Sequence, residues 1–243
     1  MLPNYKLHIQ YDGTNYCGWQ IQNNQPSVQQ TLKDAIEILI REKISLNGSG
    51  RTDSGVHALG QVANFSCEQK LGLYRFRYSL NNTIPDDIAV TEIEEVDASF
   101  HSRYDAVSRT YLYFISNKKT PFFKRFTSFY YSPLDISYLN QLSKWLIGER
   151  DYTSFTKHEA ETENKVCTII SAQWRTLNEF SIFRIEANRF LHGMVRTIVG
   201  TLLDFHKEQK PVEALTAIID AKDRTRAGEA VPGKGLFLYK IRY

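Results

Sequence analysis

The segment Gly48–His57, GSGRTDSGVH, is the part of the sequence best suited to chemistry. It places Asp53 two residues after Arg51, among three glycines, with no lysine for a phosphate and no cysteine for a metal. A neighbouring guanidinium favours the ionised form of a carboxylate. An ionised carboxylate is suited to act as a nucleophile and not as a general acid. The spacing therefore indicates covalent or ion-pair chemistry at Asp53 that needs no metal.

Other interpretations of the same segment stay open when it is taken alone. Thr-Asp-Ser-Gly is good turn chemistry, because Asp and Ser bond nearby backbone amides and Gly accepts a positive φ. On spacing alone, a structural turn is the favoured interpretation. A phosphate-binding loop fits less well, because the segment lacks the Gly-Lys-Ser/Thr ending. A glycosidase would need a second carboxylate at a defined separation, and the sequence marks none.

The charge of the chain restricts where a nucleic acid could bind. The 243 residues carry 30 basic and 27 acidic side chains, so a polyanion site must be a local patch. One candidate is Lys118–Tyr131, KKTPFFKRFTSFYY, which interleaves four basic residues with aromatic ones. A second is the cluster of Lys222, Arg224 and Arg226. Either patch could equally be a solvated rim of the protein.

Cysteine and histidine usage argues against a metal centre and for a reducing compartment. The three cysteines are far apart and odd in number, and the six histidines are dispersed. The first residues alternate apolar and polar as a strand does, unlike a signal peptide, and no apolar run has the length of a transmembrane helix. We expect a cytoplasmic protein without metal or membrane segment.

Apolar periodicity predicts an α+β fold with two similar halves, 1–103 and 104–243, each with mainly antiparallel sheets and flanking helices. In the first half we predict strands at 5–11, near 43–48, at 61–67 and at 87–96, with helices opening at Ser27 and within 70–80. In the second half we predict strands at 109–117, 165–175, 179–187 and 235–243, and helices at 135–145 (closed by Gly148), 191–203 and from Pro211.

Several motifs together resemble those of the tRNA pseudouridine synthase A family. GRTDSGVHALGQVANF resembles the catalytic loop of that family, and YDGTNYCGWQ resembles its N-terminal motif. FHSRYDAVSRTYLY resembles the tyrosine motif, and ANRFLHGMVRTIVG resembles the C-terminal helix. AKDRT followed by PGKGLFL resembles the terminal segment. The motifs occur in the order of the family and span essentially the whole chain.

The resemblance implies the pseudouridine synthase fold, with an active-site cleft between the two halves, and a role for five residues. Asp53 would be the catalytic aspartate, and Arg196 the arginine paired with it. Tyr111 would stack on the uracil with its hydroxyl near the base, Leu236 would line the base pocket, and Arg51 would assist base extrusion. The implied activity is isomerisation of uridine to pseudouridine in the anticodon arm of tRNA by a homodimer. It requires no cofactor.

Tyr111, Arg196 and Leu236 also have structural interpretations. Tyr111 could be a cross-strand aromatic partner, since Tyr113 lies on the same strand face. Arg196 could be an arginine that snorkels from the edge of a helix stripe to water, and Leu236 an ordinary core residue. The sequence leaves open whether the aspartate adds to the base, attacks the ribose or acts through a glycal.

Two other functions compete with the synthase: a non-catalytic RNA-binding module of the same fold, and a hydrolase of nucleoside N-glycosidic bonds. The segment DYTSFTKHEAETENKVCTI departs from the family pattern, which leaves the roles of Lys157 and His158 open.

Overall fold

The computed structural model describes residues 2–157 and 163–243, which form two compact units. One unit comprises Met1–Val107 with Leu238–Tyr243, and the other comprises Ser108–Phe237. The division predicted from sequence, 1–103 and 104–243, stays a prediction about domains. The compact units differ from it chiefly in grouping the last six residues with the first unit.

The first unit is an antiparallel sheet with two helices. Its elements are β1 (Asn4–Tyr11), α1 (Val28–Ile40), β2 (Asn47–Gly48), β3 (His57–Ser66), α2 (Leu73–Thr83) and β4 (Ile88–Val96). The strands lie in the order β4-β1-β3, and β2 pairs with β3. Large apolar side chains of β1 and β3, such as Tyr5 and Phe65, are fully buried and pack with ring centroids 5.6 Å apart. This packing fixes the strand from which the Asp53 segment emerges.

Helix α1 begins as the sequence predicts, because the Oγ of Ser27 accepts a hydrogen bond from the amide of Gln30 at 3.3 Å. The strand predicted near 43–48 is reduced to β2, and the reason lies at the end of this helix. The carboxylate of Glu37 accepts hydrogen bonds from the amide of Ile44 and from the ammonium of Lys43. Residues 41–46 are therefore held against the helix end and do not pair as a strand.

The second unit has the same class of architecture. Its elements are β5 (Ser108–Ser116), β6 (Ser128–Phe129), α3 (Ile136–Lys144), β7 (Gly148–Asp151), β8 (Val166–Leu177), β9 (Phe180–Ala187), α4 (Met194–Glu208), α5 (Ala214–Ala221) and β10 (Leu236–Arg242), most of which belongs to the first unit. The antiparallel strands lie in the order β5-β9-β8-β7, and β6 pairs with β5 in parallel.

The predicted α+β class with mainly antiparallel sheets is confirmed, with local differences in the second unit. β6 and β7, which are short, were not predicted from the sequence. Gly148 does not close α3 but opens β7, where its φ of 111° turns the chain into the strand. The helix expected from Pro211 begins at Ala214, because residues 211–213 form a turn in which the carbonyl of Pro211 accepts from the amide of Ala214.

Within residues 2–157 and 163–243, none of the helices has both the length and the apolar character needed to cross a bilayer. In the same ranges, no three His, Cys, Asp or Glu side chains are grouped so that they could hold a metal ion.

Candidate active site

Asp53 lies in the loop between β2 and β3, at the first position of a tight turn. The carbonyl of Asp53 accepts a hydrogen bond from the amide of Val56 at 3.2 Å, and Gly55 has a φ of 71°. A positive φ at the third position of a four-residue turn is typical of type II turns and favours glycine. The predicted turn is therefore present, and it holds a partly exposed carboxylate. A structural turn and a displayed functional group are compatible here.

The N-terminal motif YDGTNYCGWQ supports this loop from one side. The amide of Trp19 donates to the carbonyl of Thr52 at 3.1 Å, and the amide of Gly55 donates to the carbonyl of Tyr16 at 3.2 Å. Gly18 lies between these two contacts with a φ of 101°, and a Cβ placed on it would lie 2.3 Å from the carbonyl oxygen of Thr52. Only glycine allows the two backbones to approach so closely.

Two buried side chains hold the beginning of the loop. The hydroxyl groups of Tyr11 and Thr52 are 2.8 Å apart and hydrogen bonded. Burial raises the pKa of Tyr11, so its hydroxyl stays protonated. Gln61 is fully buried; its Oε1 accepts from the hydroxyl of Ser49 at 2.7 Å, and its Nε2 donates to the carbonyl of Gly50 at 3.0 Å. These bonds restrain the backbone on the N-terminal side of Asp53.

The end of the loop is held at His57, which is buried at the start of β3. Its Nδ1 accepts a hydrogen bond from the amide of Gly13 at 3.0 Å and lies 3.1 Å from a carboxylate oxygen of Asp12. The Asp53 loop is thus fixed at its beginning, middle and end. Of its charged residues, Arg51 is exposed and Asp53 is partly buried.

Tyr111 is buried on β5 of the second unit, where it lies opposite Ile185 of β9. Tyr113, on the same face, lies opposite Phe183. The ring of Tyr111 packs edge-on against Phe190, with centroids 5.2 Å apart and planes at 90°. Phe190 was not among the predicted site residues, although it lies within the motif ANRFLHG. The signal that could have identified Phe190 was an aromatic residue close to the histidine and glycine of this motif.

Arg196 is half-buried on the first turns of α4 and is held to the segment 229–232. Its Nε donates to the carbonyl of Val231 at 2.7 Å, and its own carbonyl accepts from the amide of Val231 at 3.2 Å. A snorkelling arginine ends in water, whereas here Nε is bonded to backbone. The guanidinium therefore has a restrained position.

Leu236 is buried at the start of β10, directly after a tight segment that packs on Tyr113. The hydroxyl of Tyr113 donates to the carbonyl of Pro232 at 3.0 Å, and a Cβ on Gly235 would lie 2.8 Å from the ring of Tyr113. Burial raises the pKa of Tyr113, which the positive charge of Arg196 opposes. The segment 231–236 thus joins Arg196, the tyrosine face of β5 and Leu236 within one unit.

Lys157 and His158 were left without a role. The amide of Lys157 donates to the carbonyl of His192 at 3.0 Å, which ties it to the start of the α4 region. His158 lies outside the described residues.

Comparison with known proteins agrees with the motifs. The profile of a family described as tRNA pseudouridine synthase matches residues 7–105 and 142–243. A protein named tRNA pseudouridine synthase A from Bacteroides thetaiotaomicron is 38% identical, with 100% of this chain and 91% of the relative covered. Proteins of the same name from Parabacteroides distasonis (98% and 95% covered) and Caldicellulosiruptor saccharolyticus (100% of both) are each 40% identical.

A match of this extent defines the chain as a pseudouridine synthase, and therefore as an enzyme of the isomerase class. More particularly, the chain belongs to the tRNA pseudouridine synthase family.

Proposed function

We propose that this chain isomerises uridine to pseudouridine in the anticodon arm of tRNA, with Asp53 as the catalytic carboxylate. In this reaction the N1–C1′ bond breaks, the uracil turns, and a C5–C1′ bond forms. The proton at C5 is lost and N1 gains one, so atoms and electrons balance without an oxidant, a reductant or a cofactor. The observation that carries the proposal is the fixation of the Asp53 loop by residues of a second family motif.

The geometry of the loop suits a carboxylate that must meet a reacting ring. Precise positioning of a catalytic group contributes several kcal/mol by removing orientational freedom, on the order of 7–11 in favourable cases. The bonds to Trp19, Tyr16 and Gly13 restrain the backbone, while Asp53 itself stays partly exposed. A carboxylate so held can assist departure of the uracil and its return through C5.

We propose Tyr111, Arg196 and Leu236 as the remaining groups of the active site. Tyr111 offers a ring to stack on uracil and a hydroxyl for proton transfer at C5. Arg196 supplies positive charge, and its restrained guanidinium supports that role. Leu236 provides an apolar wall for the base. Supporting this grouping, the segment 231–236 contacts both Arg196 and the strand of Tyr111.

Arg51 is proposed to assist extrusion of the target base. A base must leave its stack to reach an active site, which costs a few kcal/mol and less in loops. Arg51 is exposed two residues before the carboxylate, so its guanidinium can reach a phosphate or a base without rearrangement of the loop. The anticodon arm contains an unpaired loop, which fits this requirement.

We further propose a homodimer in the cytoplasm. The three cysteines are free, and two of them are buried, which fits a reducing compartment. Sedimentation at working concentration tests the oligomer: twice the 28.1 kDa mass of the chain is expected, and a fully active single chain would contradict it.

The activity is tested with unmodified tRNA carrying tritium at uridine C5. We expect tritium release together with pseudouridine, and no release by Asp53→Asn, which removes charge at nearly constant size. Asp53→Asn should bind tRNA as the wild type does, because affinity comes from phosphate contacts. Asp86→Asn, a change at an exposed aspartate, is the matched control and should be fully active.

The outcomes of this assay separate the alternatives. Free uracil would identify a hydrolase, and binding without release would identify an RNA-binding module. Pseudouridine formation by Asp53→Asn, with deamidation excluded by mass spectrometry, would remove Asp53 from its proposed role.

A further inference from the structure

The segment Lys118–Tyr131, which we call the aromatic–basic segment, has no part in the site described above. It connects β5 to the start of α3 and contains β6. It carries four basic side chains and no acidic one, whereas the whole chain has a net charge of only +3. The excess positive charge of the chain is therefore concentrated in this segment.

Two aromatic rings anchor the segment within the second unit. The ring of Phe123 packs edge-on against Phe180 at 5.3 Å, and the ring of Phe126 packs against Phe237 at 6.3 Å. The backbone is also bonded: the carbonyl of Phe123 accepts from the amide of Phe126 and from the hydroxyl of buried Thr127. The segment thus has a defined conformation.

Three other rings of the segment face solvent. Phe122 and Tyr131 are each 87% exposed, and Phe129 is 50% exposed. Phe129 and Tyr131 contact each other edge-on at 6.2 Å. Phe129 is part of β6, whose pairing with β5 restrains the backbone here, and the amide of Tyr130 donates to the carbonyl of Ser116 at 3.0 Å. Exposed rings in contact on a restrained backbone, such as Phe129 and Tyr131, form a continuous apolar surface, and such a surface marks an interaction site where scattered single rings do not.

The charges decide which partner fits this surface. A second copy of the segment would bring four basic groups against four others, and like charges facing each other disfavour association. A nucleic acid satisfies both features, because its bases stack on aromatic rings and its phosphates pair with Lys and Arg. A duplex hides the base faces, so unpaired nucleotides are favoured.

We infer that the aromatic–basic segment binds unpaired nucleotides of the substrate RNA, with the exposed rings stacking on bases and the basic side chains contacting phosphates. The inference rests on the proposed function in taking RNA as the substrate. It adds a binding surface built from residues other than those of the catalytic loop and the tyrosine strand.

The test replaces the two most exposed rings and asks whether RNA binding needs an aromatic ring or only an apolar side chain. Phe122→Leu combined with Tyr131→Leu keeps apolar side chains but removes both rings. Phe122→Tyr combined with Tyr131→Phe keeps both rings and is the matched control. We expect the leucine variant to bind a single-stranded RNA of about 12 nucleotides roughly 10-fold more weakly, since stacking is sequence-tolerant and ring-dependent. The control should bind within about 2-fold of wild type, because it keeps both stacking faces.

A charge variant tests the second half of the inference. Lys118→Gln combined with Lys119→Gln should reduce the slope of log affinity against log salt by about 0.7 for each lost phosphate contact. An unchanged slope would contradict contact between these lysines and phosphates.

The outcomes distinguish this inference from the proposed function. Wild-type affinity of the leucine variant for the oligonucleotide and for tRNA would overturn the inference, while pseudouridine formation by the wild type would leave the function standing. Loss of a dimer in sedimentation with unchanged RNA affinity would instead assign the surface to self-association. Absence of pseudouridine formation by the wild type would refute the function alone.

Discussion

Gln61 gives the sharpest test of how the catalytic loop is positioned. Its side chain is fully buried; it accepts hydrogen bonds from the hydroxyl of Ser49 at 2.7 Å and the amide of Val62 at 3.1 Å, and it donates to the carbonyl of Gly50 at 3.0 Å. Gln61→Leu approximately keeps the volume of the side chain but removes these hydrogen bonds. A buried polar group left without a partner costs about 1–3 kcal/mol.

The size of the effect follows from which groups lose a partner. The amide of Val62 and the hydroxyl of Ser49 lose their acceptor, and the carbonyl of Gly50 loses its donor, although Gly50 is only partly buried. Two well-buried groups at about 1–3 kcal/mol each give a loss of roughly 2–6 kcal/mol. For a protein of this size, that lowers Tm by about 4–24 °C.

Stability alone does not show that the loop is affected, so a matched control is needed. Asn140 of α3 also uses its side-chain amide to bond the backbone. Its Nδ2 donates to the carbonyl of Trp174 at 3.1 Å, and its Oδ1 accepts from the amide of Trp174 at 2.8 Å. Asn140→Leu should lower the free energy of unfolding by a similar amount while leaving turnover unchanged below its Tm. Gln61→Leu should lower kcat as well, because the loop that carries Asp53 loses its restraint.

The assay is pseudouridine formation under saturating tRNA at a temperature at which both variants are folded by circular dichroism. Equal turnover of Gln61→Leu, Asn140→Leu and wild type would refute the view that Gln61 positions the loop. Gln61→Glu is an intermediate variant, because it keeps an acceptor for the hydroxyl of Ser49 but loses the donor to the carbonyl of Gly50. Its kcat should lie between those of Gln61→Leu and wild type.

Three further predictions concern other contacts. Tyr111→Phe should keep tRNA affinity but lose about 10²–10⁴-fold in turnover if the hydroxyl transfers a proton, whereas stacking alone predicts loss only in Tyr111→Leu; normal turnover of both would return Tyr111 to a packing role. Arg196→Met should stay folded and bind tRNA but lose about 10²–10³-fold in kcat, and wild-type kcat in the folded variant would remove Arg196 from the site. Bonds from Lys33 and Lys43 hold the pKa of Glu37 at about 2, below its ordinary 4.5, so its stabilisation is present above pH 4.5 and is lost as the pH falls towards 2. Glu37→Gln should therefore be less stable at neutral pH by about 1–3 kcal/mol, and urea melts at several pH values should show a flatter acid limb; identical pH profiles would contradict this.

The elements that the sequence predicts well are those whose signals are local. Helix α1 depends on Ser27 and an apolar stripe, both of which can be read within a few residues. The alternation of β1 and β5 likewise identifies these strands, because one strand face is buried in each. The absence of a strand at 43–46 could not be predicted, because it depends on the hydrogen bond from the amide of Ile44 to Glu37. That contact forms only once the helix has formed. β6 depends on pairing with β5, and its two residues carry no pattern of their own.

The candidate site shows the same limit. Asp53 could be named from its motif, and the turn around it from Thr-Asp-Ser-Gly, because both are local. The role of Gln61 could not, since its partners precede it by 11 and 12 residues and its burial depends on β3. Phe190 and the segment 231–236 were also missed, because their importance lies in contacts with β5.

The N-terminal motif obtains a physical meaning from its contacts with the loop. Trp19 has no acidic or basic group, and the hydroxyl of Tyr11 is buried and hydrogen bonded to Thr52, with a pKa that burial raises. Instead, the hydroxyl of Tyr11 bonds the side chain of Thr52, and the amide of Trp19 bonds its carbonyl. Gly18 lets that carbonyl approach. Thr52, the residue before Asp53, is therefore held through both its side chain and its backbone. The motif thus acts by restraining the backbone from which the side chain of Asp53 projects.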